Sequence, residues 1–311
     1  MKEIKVYIPA SVSNVGPGFD ILGFALEHPG EELTLRKSSK NGITITRIIG
    51  DEGKLTYDPT KNTATISLSA FLKSIDYKGG FEVEIYKNIP IGGGLGSSAA
   101  SACATVFAAN KLLGCNLSPM DLIEYALAGE KFASGSYHCD NVAPSLLGGF
   151  VLVRSCKPLD IITLDAPKSL LVSVLSSNIE IKTQQAREIL PKKVPLSLAV
   201  NQSANLASLV VALLKGNMSG LKNSLQDYLI EPHRASLIPS FYEVVQAAKD
   251  AGALGCGISG SGPSIFAFSD DLNIAKGVSH AMKLVYQRLH IESCVYTSKI
   301  NFAGPQIKYW R

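Results

Sequence analysis

The sequence predicts an α+β protein of two domains, and three observations predict it. The chain has 311 residues, enough for two domains of ordinary size. Apolar residues make up 46% and charged residues 18%, a balance that builds packed cores and excludes a disordered chain. Strand and helix periodicities are mixed in both halves, without the strict β-α-β alternation of a parallel sheet. A soft boundary falls between Asp165 and Lys182, giving domains at 1–168 and 169–311. There is no internal repeat and no low-complexity linker.

Period-two alternation predicts strands at Ile4–Ile8, Glu32–Arg36, Ile43–Ile48 and Phe81–Tyr86. Helical spacing predicts helices at Thr63–Ser74, Ser97–Leu113 and Met120–Phe132, the last started by Ser118-Pro119. Strands follow at Phe150–Arg154 and Leu170–Leu175. Then come helices at Thr183–Leu190, Leu198–Leu214 (closed by Gly216), Leu221–Leu229 and Pro239–Ala251 (closed by Gly252). Strands are expected around a second glycine-rich loop, Gly255–Ser264, continuing into Ile265–Phe268. A helix at Asn273–Leu289 and a strand at Ser293–Ile300 complete the expected elements.

The net charge of +4 is spread along the chain, with no basic tract longer than Pro191-Lys192-Lys193, so no nucleic-acid partner is expected. None of the six cysteines forms a C-x-x-C pair, and their small or apolar neighbours predict reduced, buried thiols. The opening Met-Lys-Glu-Ile-Lys-Val has no apolar core, so no signal peptide is expected. The longest apolar stretches, Ala99–Ala109 and Leu206–Leu214, fall short of a membrane span. The expectation is a cytoplasmic protein with no membrane partner.

Chemistry first shows in "NIPIGGGLGSSAASACA", Asn88–Ala104. Its glycines, Gly92, Gly93, Gly94 and Gly96, follow a strand and open a helix. Backbone N–H groups at such a helix N-terminus form an anion site, and the glycines are expected to clear space for a phosphate chain. Ser97 and Ser98 fall in the first turn, where a hydroxyl can cap the helix or ligate Mg²⁺. No lysine completes a Walker A motif, and Ser97 stands where a dinucleotide fingerprint needs glycine. A tight turn without a ligand is the alternative.

The stretch Pro90-Ile91-Gly92-Gly93-Gly94-Leu95-Gly96-Ser97-Ser98-Ala99-Ala100 resembles the ATP loop of the GHMP kinases. "PASVSNVGPGFD" (Pro9–Asp20) is similar to that family's first motif and "GCGISGSGPS" (Gly255–Ser264) to its third. The resemblance covers the whole chain. It implies an N-terminal domain like domain 2 of ribosomal protein S5, a ferredoxin-like C-terminal domain, ATP as co-substrate and Mg²⁺ as cofactor. It makes Pro90 to Ala100 the ATP-binding segment, with Lys87 and Asn62 close by. Ser98 and Glu130 become the Mg²⁺ partners. Without it, Glu130 reads equally as a solvated glutamate and Lys87 as a strand-end lysine.

Within the family, "SNVGPGFDILGFAL", "HCDNVAPSLLGG" and "EPHRASLIPSF" resemble the homoserine kinases. The implied acceptor, L-homoserine, has a carboxylate, an ammonium and a hydroxyl. Arg187 and Arg234 can supply bidentate cations for the carboxylate, and Thr183 shares a helix face with Arg187. Asp20 is the candidate for the ammonium, with Asn14 beside it; both read otherwise as turn residues. Thr183 and Arg187 read otherwise as a helix cap and a solvated arginine.

His138, Asp140 and Asn141 cluster before a Gly-Gly turn, with His138 and Asn141 assigned to the substrate. In mevalonate-type relatives the aspartate of a similar Asp-Asn pair is a base helped by a first-motif lysine. Here Pro9-Ala10-Ser11 has no lysine. Catalysis is therefore assigned to Asn141, Asp140 and Arg187, with positioning and base chemistry both open. The alternatives are a mevalonate-type kinase and a non-catalytic binding protein of the same fold. A homodimer is left open.

Overall fold

The computed structural model describes residues 2–311, and its first sheet grows around two long strands. β1 (Glu3–Ser13) and β2 (Leu22–Ser38) pair antiparallel from Glu3↔Arg36 to Ser13↔Gly23. β3 (Gly42–Ile49), α1 (Thr63–Ser74) and β4 (Gly80–Tyr86) follow, the helix providing the crossover that a parallel β3–β4 pair requires. α2 (Ser97–Leu113) is rich in alanine, and its small buried side chains let it lie close on β1 and β2. α3 (Pro119–Ser134) starts at a capping box, Ser118 and Asp121 satisfying each other's backbone N–H. α4 (Cys139–Leu147) then leads into the hairpin β5 (Phe150–Cys156) and β6 (Leu159–Leu164), with β5 paired to β2.

The second half contains β7 (Leu171–Ser177), α5 (Thr183–Glu188), α6 (Leu196–Lys215), α7 (Met218–Ser224), α8 (Glu231–Arg234) and α9 (Phe241–Asp250). It continues through β8 (Gly255–Ile258), β9 (Ile265–Ser269), α10 (Leu272–Arg288) and β10 (Ser293–Lys299) to β11 (Gln306–Trp310). Its antiparallel sheet runs β10-β7-β9-β8. Phe241 and Val244 of α9 and Met282 and Val285 of α10 are buried in the apolar layer over one face. Phe266 and Phe268 instead reach the core of the first half, where each packs on Phe24.

Several expectations are corrected here. β11 pairs with β1, so the final segment of 169–311 belongs to the first sheet, not to the C-terminal half. α4, β6 and β11 were not expected: α4 contains Pro144, and the two strands lack clean alternation of burial. The helix expected at Leu221–Leu229 ends at Ser224, because Asp227 takes the backbone N–H groups of Leu229, Ile230 and Glu231 into a turn.

α6 has 20 residues and, over its most apolar window, a mean hydropathy of 1.4, long and apolar enough by length and composition to cross a membrane. It packs inward through Leu209, Ala212 and Leu213 and leaves Leu196, Val200, Val211 and Leu214 exposed. The thiol expectation is corrected as well. Cys139 and Cys156 are joined as a disulfide with their Cα atoms 6.2 Å apart, a contact between α4 and β5 that sequence spacing does not reveal. Cys294 is exposed and Cys115 half-buried; Cys103 and Cys256 are buried free thiols, as expected.

Candidate active site

A cleft of about 370 Å³ opens where the three glycine-bearing motifs meet. At its floor, α2 begins at Gly96 in the left-handed conformation, with no side-chain cap. No N-cap side chain therefore takes the first-turn N–H groups. Of the two roles open to the first-turn serines, capping is not taken up. Ser97 Oγ donates to Glu31 Oε1 (2.8 Å) and Ser98 Oγ to Glu130 Oε2 (2.6 Å).

The glycines serve a different end from the one expected of them. Gly92, Gly94 and Gly96 have positive φ, and a Cβ on each would strike protein, not an open phosphate site. At Gly92 it would meet Glu180 Cγ at 2.6 Å, at Gly94 the carbonyl oxygen of Gly262 at 2.7 Å, and at Gly96 Asn141 Oδ1 at 2.9 Å. The loop is glycine-rich because other segments dock onto its backbone. Ser264 Oγ donates to Gly93 O (2.5 Å) and Ser259 Oγ to Gly94 O (2.7 Å), so the third motif clamps the loop from the opposite half. Leu95, Ala99 and Ala100 are fully buried in the core and do not line the cleft.

Beneath the loop lies a buried network. Lys87 Nζ pairs with Glu31 and donates to Ser97 O (3.0 Å) and Ser101 Oγ (2.9 Å), while Ser101 Oγ donates to Glu31 Oε2 (2.6 Å). The Lys87 ammonium is therefore engaged by protein, although its side chain borders the cleft. Sequence reading missed Glu31. Glu31 follows Gly30 and precedes Glu32 in β2, and only its burial in the fold sets it apart. Asn62, also at the cleft wall, caps α1 through Ala64 N and donates to Thr56 O.

Glu130 is buried near the C-terminal end of α3, where the helix dipole disfavours a carboxylate. Besides Ser98 it accepts from His138 Nδ1 at 2.9 Å. Burial works against a charged His138 imidazole, but the Glu130 partner outweighs it and raises the ring's pKa. Ser98, Glu130 and His138 are thus brought together. No group of three or more acids, histidines or cysteines suited to a metal occurs among the described residues.

On the other wall, Asn141 is held at both ends by β1. Ser11 Oγ donates to Asn141 Oδ1 (3.0 Å), and Asn141 Nδ2 donates to Ser13 Oγ (2.9 Å). Ser11 thus occupies the first-motif stretch where a helper lysine would fall. Asp140 is buried, and desolvation pushes its carboxyl up to about 6. Asn14 stitches motifs together: its Nδ2 donates to Gly260 O (2.8 Å) and its Oδ1 accepts from Asp20 N (2.8 Å).

Asp20 and Arg187 meet across the cleft, Arg187 Nη2 donating to both carboxylate oxygens at 2.9 and 3.0 Å. Arg234 is buried; its Nε donates to Ala186 O (3.1 Å) and one Nη to Gly260 O (2.8 Å). Desolvation pulls its pKa down to about 10. Thr183 lines the cleft one helical turn before Arg187. Sequence reading also missed Ser11, Ser13 and Phe19; the two serines are spaced for one strand face.

Residues 62–149 match the GHMP kinases N terminal domain and residues 209–288 the GHMP kinases C terminal domain. A homoserine kinase of Chloroherpeton thalassium is 45% identical over 318 residues, covering 99% of this chain and 100% of that protein. One of Pyrococcus furiosus is 39% identical over 297 residues, covering 96% and 98%. The crystal structure of homoserine kinase from Cytophaga hutchinsonii has a TM-score of 0.96 at 48% identity, covering 99% of this chain and 98% of its own. The two α+β halves accordingly form the GHMP kinase fold. With identity of this order along the full length of the relatives, the chain belongs to the homoserine kinase family of GHMP kinases.

Proposed function

We infer that this chain transfers the γ-phosphoryl group of ATP to the side-chain hydroxyl of L-homoserine, releasing ADP and O-phospho-L-homoserine on a route to threonine. The observation that carries the reading is the charge layout of the cleft. Asp20, Arg187 and Arg234, complementary to an amino acid's two charges, lie across from the uncapped N-terminus of α2. The loop's N–H groups are suited to the triphosphate, and Asn62 and Lys87 hold the walls around it. Asp20 takes the ammonium, Arg187 and Arg234 the carboxylate, and Thr183, Asn14 and His138 border the bound acceptor.

Mg²⁺ fits the donors present. Ser98 Oγ and Glu130 Oε2 are neighbouring hard oxygens at the cleft, and this ion commonly takes one or two protein oxygens beside phosphates and water. When bound it would neutralise charge on the phosphates. His138 steadies the Glu130 carboxylate from the far side. Asn141, locked by Ser11 and Ser13, orients the hydroxyl. Phosphoryl transfer through a loose transition state depends chiefly on such alignment. We assign Asp140, with a carboxyl near 6, to receive the hydroxyl proton late in transfer. Both substrates are cytoplasmic metabolites, and we place the enzyme there.

The test is ADP release with homoserine, mevalonate and galactose offered separately. Release with homoserine alone is expected; release with mevalonate alone would move the chain to the mevalonate-type reading. Release with none of the three would favour a binding protein.

A further inference from the structure

Two arginines converge on one site, and nothing assigned so far explains what holds like charges together. Arg187 has an acidic partner, Asp20. Arg234 has carbonyl oxygens and, among the described residues, no carboxylate. What both touch is Phe19. The Cζ atoms of Arg187 and Arg234 lie 5.3 and 4.9 Å from its ring centroid, within the range where an aromatic face attracts a cation. The ring is itself well placed: a Cβ on Gly18 would meet Leu22 Cβ at 2.5 Å, and Asn14 holds the next residue through Asp20 N.

An aromatic support differs chemically from an acidic one. It fixes a guanidinium without accepting a conventional hydrogen bond, so the N–H edge and the charge stay available to a ligand. A carboxylate in its place would neutralise the cations and repel an acidic group. We propose that Phe19 is a positioning residue that sets the two guanidiniums for one carboxylate, and so selects acceptors that carry one. The proposal rests on reading the arginine pair as the carboxylate subsite.

Phe19→Leu keeps apolar bulk and removes the π-face, whereas Phe19→Tyr keeps both. Phe19→Leu should lower kcat/KM for homoserine roughly ten- to a hundredfold, through KM, with KM for ATP moving less than about twofold. For 3-aminopropan-1-ol, which has the amine and hydroxyl but no carboxylate, the loss should be under about threefold, and Phe19→Tyr should restore homoserine. Equal losses on both acceptors, or a fall in kcat alone, would overturn the proposal.

A second measurement does not depend on turnover. The Nε–H resonances of Arg187 and Arg234 are followed by NMR while 4-hydroxybutyrate is titrated into wild type and Phe19→Leu. Weaker binding in the variant supports the proposal, and equal affinity overturns it. If wild type releases no ADP with homoserine, the reaction reading fails, and this titration still decides the role of Phe19.

Discussion

On the phosphate-loop side of the cleft the polar side chains are satisfied within the protein, whereas on the acceptor side, beyond the Asp20–Arg187 pair, Arg234 and Asp140 have no salt-bridge partner among the described residues. Lys87, Glu31, Ser97 and Ser101 satisfy one another beneath α2, and Ser259 and Ser264 are bonded to the loop's carbonyl groups. Across the cleft, Arg234 is buried with only carbonyls, Arg187 Nε is buried without a partner, and the Asp140 carboxyl is pushed up by desolvation. The loop is a finished frame that presents backbone donors. The acceptor side holds electrostatic demand that a zwitterion would meet, at a cost to the free protein.

If that contrast is right, the largest effect comes from unbalancing the frame. Glu31→Gln leaves the Lys87 ammonium buried without its anion and should cost about 3–5 kcal/mol of stability. Glu31→Leu with Lys87→Met should recover most of it, which urea denaturation would show. Gly94→Val comes next. Its branch would strike the Gly262 carbonyl from a left-handed backbone, so stability should fall by about 2–4 kcal/mol along with nucleotide affinity. A folded variant of wild-type stability would break the account of the clamp.

On the acceptor side the effects are smaller and specific. Asp140 has a folded pKa near 6, above its unfolded value of about 3.9, so its contribution to stability is fully present below about pH 4 and lost as pH rises through 6. Asp140→Asn should therefore be more stable than wild type by about 2–3 kcal/mol at pH 8, with the gap closing toward pH 4. Denaturation midpoints across that range test it.

Asp20→Asn should cut the preference for homoserine over 4-hydroxybutyrate by roughly ten- to a hundredfold, since only homoserine has the amine. An unchanged ratio of kcat/KM would remove Asp20 from ammonium recognition. Smallest of all, Ser98→Ala and Glu130→Gln should each raise the Mg²⁺ needed for half-maximal rate, and together less than additively. Strict additivity would argue against one shared ion.

How much of this was readable beforehand divides along the same line. Thr63–Ser74 and Ser97–Leu113 were legible to the residue, because local periodicity and strong punctuation coincide there. The glycine loop was legible as the strand-to-helix turn that opens α2, but the reason for its glycines was not. The colliding atoms belong to Glu180, Gly262 and Asn141, each remote in sequence. Asp20 and Arg187 could be named from charge and motif, yet their pairing across 167 positions could not be read from spacing. Glu31 and Phe19 escaped for a related reason. An acid in a strand and an aromatic in a turn acquire meaning only when other segments fold onto them.

The return of β11 to β1 bears on how the molecule is made. Lys2 N and Glu3 N both donate to Arg311 O, at 2.8 and 3.0 Å, so the first sheet begins with the first described residues and closes with the last. During synthesis from the N-terminus, the β1 edge emerges early, and its strand partner β11 follows only after the whole second sheet. For that interval a run of unpaired backbone groups is open to other chains. Arrival of β11, not completion of the second sheet, is the event that seals this edge.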